Sequence, residues 1–110
     1  MSKAITFIEE KIWAIESPLE ILEGSSVTLS CTFWGTVTSP DAAVTRNRQT
    51  VTSTVMPSGS HTASGSVATL KPLTALVGGA RYVITITGTV AGDTWKKKVE
   101  IKCGKAVDEQ

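Results

Sequence analysis

Two stretches of the chain alternate strictly between apolar and polar residues. In residues 25–34, Val27, Leu29, Cys31 and Phe33 share one face, and Thr28, Ser30 and Thr32 share the other. In residues 81–90, Tyr82, Ile84 and Ile86 oppose Thr85, Thr87 and Thr89. A period of two with one polar face predicts half-buried antiparallel strands. A third strand is predicted over residues 94–103. There Trp95, Val99, Ile101 and Cys103 lie on one side, and Lys96, Lys98, Glu100 and Lys102 on the other. Ala91-Gly92-Asp93 reads as the hairpin loop between the last two strands.

The remaining segments are less regular. Residues 16–24 predict a short edge strand, where Pro18 is tolerated because an edge can spare an amide donor. Residues 35–43, rich in Gly, Thr, Ser and Pro, read as a loop. Residues 44–56 predict one long strand or two short ones, with Val51 and Val55 in register. Residues 57–66 read as a loop, and residues 67–70 as a short strand closed by Pro72. In residues 3–15, Ile5, Ile8, Ile12 and Ile15 recur at helical spacing, while Ile5, Phe7 and the Ile12-Trp13 pair also suit a strand. We read this segment as an arm that docks on something. The organisation expected is an N-terminal arm (1–15), an all-β antiparallel sandwich of about seven strands (16–103) and a polar tail (104–110).

Composition supports the β reading. Val, Ile and Thr number 11, 8 and 16 among 110 residues, and such β-branched side chains suit a pleated sheet better than a helix. One His, three Asp, seven Glu and two Cys are too few and too scattered for most catalysis, and no cofactor is implied. A formal net charge of +1 is too balanced for a general nucleic-acid or membrane-surface binder. The N-terminus has no apolar signal core and nothing approaches the length of a membrane span, so manufacture in a cytosol is expected. Charge is nevertheless uneven. Residues 1–23 carry five glutamates against Lys3 and Lys11, whereas residues 95–105 carry five lysines against Glu100.

Gly24-Ser25-Ser26-Val27-Thr28-Leu29-Ser30-Cys31 resembles the B strand of an immunoglobulin domain, and the likeness implies that Tyr82 could serve as a corner tyrosine bonding nearby backbone. The family's disulfide does not carry over. Tyr82 is followed by Val83 and Ile84 rather than x-Cys, and Cys103 would sit at the opposite end of such a sandwich from Cys31. Free thiols are the expectation in a cytosol. A broader resemblance spans roughly residues 13–103. Its core is Gly78-Gly79-Ala80-Arg81-Tyr82-Val83-Ile84-Thr85-Ile86-Thr87, followed by a Gly-Asp turn and a final V-x-I strand. This is similar to small immunoglobulin-like structural proteins of tailed bacteriophages, of the decoration or fibre–tail adaptor type. The resemblance implies an immunoglobulin-like sandwich and a non-enzymatic virion component. Such a component would contact capsid or tail subunits, in many copies or as a homo-oligomer. The acidic arm, the triple lysine and both cysteines fall outside the pattern and leave head against tail open.

Within that reading, Trp95-Lys96-Lys97-Lys98 is the sharpest local feature. It would suit an acidic protein surface, or nucleic acid through stacking and phosphate contacts. The plainer reading is a solvated strand face whose lysines deter edge pairing. Protein contact is favoured over nucleic acid, and one subunit's acidic stretch would complement another's last strand. Three tryptophans are hard to bury fully in so small a core. At least one is therefore expected at an interface, with Trp13 the first choice. The partner-binding candidates are Trp13, Trp95, Lys96, Lys97 and Lys98. His61, in a Ser/Gly loop without a second His, reads as a solvated histidine rather than a metal ligand or base. A Cys–His nucleophile pair would need a low-pKa thiolate, which apolar strand faces do not provide. The alternative reading, from a different class, is a receptor- or carbohydrate-binding immunoglobulin-like surface module.

Overall fold

Alternation along each strand becomes layer assignment in the computed structural model, which describes residues 2–8 and 18–104. One sheet has four strands. In spatial order they are β1 (Ser2–Thr6), β3 (Thr28–Thr32), β7 (Val67–Thr69) and β6 (Thr62–Ser64). The other has five: β2 (Leu19–Leu22), β9 (Asp93–Gly104), β8 (Arg81–Val90), β4 (Val37–Arg46) and β5 (Gln49–Thr50). Leu29 and Cys31 from β3 face Ile84, Ile86, Val99 and Ile101 from β8 and β9, and all six are fully buried. The chain is an all-β sandwich, as its period-two pattern requires. Among the described residues no helix is long and apolar enough to cross a membrane.

The best-patterned strands match expectation closely. Tyr82 is buried at the start of β8, and its hydroxyl accepts the Val77 N–H at 2.9 Å. This fixes the turn entering the strand, as a corner tyrosine does. Cys31 and Cys103 are free and buried.

Four expectations are corrected. First, the sandwich is not wholly antiparallel: β1 pairs with β3, and β2 with β9, in parallel. Parallel neighbours need a crossover rather than a hairpin, and β1 and β2, consecutive in the chain, lie in different sheets. Second, the start of the expected arm belongs to the sandwich. Ile5 and Phe7 are buried, and Phe7 N–H donates to the Thr32 carbonyl at 2.9 Å. The rest of the arm, residues 9–15, and tail residues 105–110 lie outside the described residues. Third, residues 37–43 are strand, not loop. Register shifts between Thr38 and Asp41, with Ser39 at φ 52°. Such a bulge absorbs a Ser-Pro pair that would otherwise end the ladder.

Fourth, residues 44–56 are neither one long strand nor two short ones. Asn47 and Arg48, both at positive φ, make a tight turn into β5. A single helical turn, α1 (Thr52–Val55), follows and buries Val55. Thr52 closes this corner, its Oγ1 accepting the Val44 N–H at 2.9 Å.

Candidate interaction site

β9 presents two chemically different faces. Lys96, Lys98 and Lys102 are exposed on its outer side, with Glu100 half-buried among them. Across the ladder Lys96 meets Thr87, Lys98 meets Thr85, and Lys102 lies between Arg81 on β8 and Glu20 on β2. Arg81 and Glu100 approach to 3.5 Å. The threonine row beside the lysines is half-buried, giving a hydroxyl-lined ground beside the ammonium groups. Lys96, Lys98 and Lys102 are exposed among the described residues, so they act as partly screened point charges in water.

The inner side of the same strand carries Trp95 and Lys97 ahead of Val99 and Ile101. Lys97 keeps only 2% of its surface exposed. Its Nζ donates to the Ile8 carbonyl at 2.7 Å and lies 4.9 Å from the Trp34 ring centre and 5.7 Å from that of Trp95. The aromatic rings form a continuous run. Phe7 meets Phe33 edge-on at 5.1 Å, Phe33 meets Trp34 at 5.6 Å, and Trp34 meets Trp95 edge-on at 5.2 Å. A buried ammonium needs such compensation: π-faces and a carbonyl replace lost water. Phe33 reaches this position because Gly88, opposite it on β8, has no side chain.

The structure therefore splits the five candidate residues. Lys96 and Lys98 share the outer face. Lys97 is corrected from a surface contact to an interior group, for the simple reason that its place in the alternation is the apolar one. Trp95 is half-buried at the end of the aromatic run. Trp13 lies outside the described residues. Trp34, Phe33, Phe7 and Gly88 were not singled out as a group. The available signal was parity, since Lys97 stands two residues from both Trp95 and Val99.

The thiols and the histidine differ in kind from these groups. Burial pushes the Cys31 thiol up to about 12, and burial with the nearby Glu23 charge raises that of Cys103. Both are packed thiols at neutral pH rather than nucleophilic thiolates. His61 is corrected from a solvated loop residue to a largely buried one, because β6 folds it against β4 and the start of the β7–β8 connection. No group of three or more His, Cys, Asp or Glu able to hold a metal occurs among the described residues. Comparisons of the chain with protein-family models, with curated proteins and with solved structures find no match.

Proposed function

We propose that the chain is a non-enzymatic structural protein of a tailed-bacteriophage virion, docking on neighbouring capsid or tail subunits through the lysine-bearing face of its five-stranded sheet. The observation that carries this reading is the outward row Lys96, Lys98 and Lys102 on the exposed face of β9. A row of exposed ammonium groups suits an extended acidic protein surface, because each can pair with a separate carboxylate while staying partly in water. Many copies on one particle would sum weak charged contacts into strong avidity. The immunoglobulin-like character belongs to the same proposal. The order β3-β7-β6 against β9-β8-β4-β5 agrees with such a sandwich, and the Tyr82 contact supports it. The parallel β1 is a departure.

The test is co-sedimentation of the purified chain with heads and tails of the encoding phage. We expect binding that weakens steeply with salt and falls at least about tenfold in the Lys96→Glu/Lys98→Glu double variant. Binding to neither particle, or binding indifferent to both salt and charge reversal, sinks the proposal.

One observation favours the alternative of a carbohydrate-binding module: Trp34 and Trp95 retain partial exposure at one end of the sandwich, where a ring face could stack on a sugar. Soluble oligosaccharides that quench tryptophan fluorescence in the wild type but not in Trp95→Ala would support it.

A further inference from the structure

Between α1 and β7 the chain runs along the rim with residues 57–60 and 62–65 exposed. His61, in the middle, keeps only 11% of its side chain exposed. Its ring is held by two elements. Nδ1 accepts the Lys71 N–H at 3.2 Å, just beyond β7. The proton of the neutral ring is therefore on Nε2, which faces the Asp41 carboxylate on β4 at 3.5 Å. Gly59 lies close to Pro72 nearby, with room for a Cβ only at 3.4 Å from Cδ. The far end of the segment is anchored independently. The Gly65 and Ser66 carbonyls accept N–H groups of Val37 and Phe33 at 2.9 and 2.8 Å.

We propose that His61 is a proton-operated latch, holding residues 57–64, including β6, on the sandwich while its ring is neutral and releasing them when mild acid protonates it. The tip of the β6–β7 hairpin, fixed at Gly65 and Ser66, is the hinge.

The chemistry follows from the two ring nitrogens. An imidazolium donates from both, so Nδ1 can no longer accept from Lys71. Two N–H groups would face each other, leaving the peptide N–H of Lys71 without an acceptor in a part-buried site. The charged groups around the ring pull in opposite directions. Asp41 attracts the imidazolium, but its side chain is 76% exposed and already accepts the Ala42 N–H at 2.8 Å. The Lys71 charge repels it. Burial, the leading cause, together with Lys71 outweighs Asp41 and holds the ring below its ordinary 6.5. The open segment accepts a proton that the closed one refuses. The closed form's advantage is therefore complete above about pH 6.5 and is lost as pH falls through the closed-state value. Opening also frees the flank of β7 that β6 occupies.

The chain has one histidine, so its ring signals in an NMR titration report on the latch alone. Hydrogen exchange of the full chain at about pH 7.5 and about pH 5, corrected for the intrinsic pH effect, reads the opening. We expect the ring to titrate below 6.5, and residues 57–64 to exchange several-fold faster in acid while β8 and β9 do not change. His61→Asn retains an acceptor but cannot take up the proton, and should stay closed at both pH values. Asp41→Asn removes the Asp41 attraction for the imidazolium and should lower the ring's midpoint further. An acid opening that persists in His61→Asn overturns the latch, as does a wild-type ring that titrates at or above 6.5. The wild-type titration is decisive even if a variant fails to fold.

Discussion

At the scale of single residues, Gly88 and Lys97 determine one end of the sandwich. A Cβ on Gly88 would stand 2.7 Å from Val37 Cγ2 and 3.0 Å from Phe33 Cζ. Both contacts are below van der Waals separation and both neighbours are buried. Gly88→Ala should therefore destabilise the fold by about 1–3 kcal/mol. It should appear as a lower denaturation midpoint at unchanged m-value, with altered tryptophan fluorescence as Phe33 shifts against Trp34. An unchanged midpoint would mean that the ring has room to move. Lys97 works differently. Its stem fills the interior like an aliphatic chain while its charge is met by two indoles and a carbonyl. The side chain thus joins β9 to the segment following β1.

At the scale of elements, removing residues 1–7 would take away Ile5 and Phe7, each worth about 1.5–3 kcal/mol of burial. It would also expose the flank of β3. We expect this truncation to lower the thermal midpoint strongly, and a truncated chain as stable as the full one would refute the packing of β1. Loss of assembly on deleting the whole N-terminal segment would consequently report unfolding before it reported docking. The legibility of each element follows the same physics. β3, β8 and β9 were readable because each buries one face and solvates the other, so sequence and layer share a period. β1 was not: Ile5 and Phe7 fit its period, but Ile8 continued a helical spacing that competed with it. β4 was hidden by Ser39-Pro40, whose turn chemistry is absorbed in a bulge. The Asn47-Arg48 turn and α1 depend on non-local partners such as the Val44 N–H, which local composition does not encode. The triple lysine was legible as a cluster but its division between faces was missed, although the alternation of β9 already contained it.

At the scale of the molecule, the two outer surfaces are unlike. Outward positions of β3 and β7 carry Ser30, Thr32, Val67 and Thr69, without charge, while those of β9 carry lysines. Docked as proposed, a module so polarised would meet an acidic neighbour with one sheet and leave the other free, which would give the copy a defined orientation. The partition of Lys96, Lys97 and Lys98 also turns the chain into its own calibrated footprint. An amine-reactive reagent applied to the native protein should modify the outer two and spare the middle one, with modification of all three only after denaturation. Peptide mass mapping checks this, and early modification of Lys97 would contradict its burial. On a docked particle the informative change is protection of Lys96 and Lys98 while Lys97 stays silent. The buried ammonium thereby becomes an internal standard, one residue from each reporter, that separates contact from unfolding in a single digest.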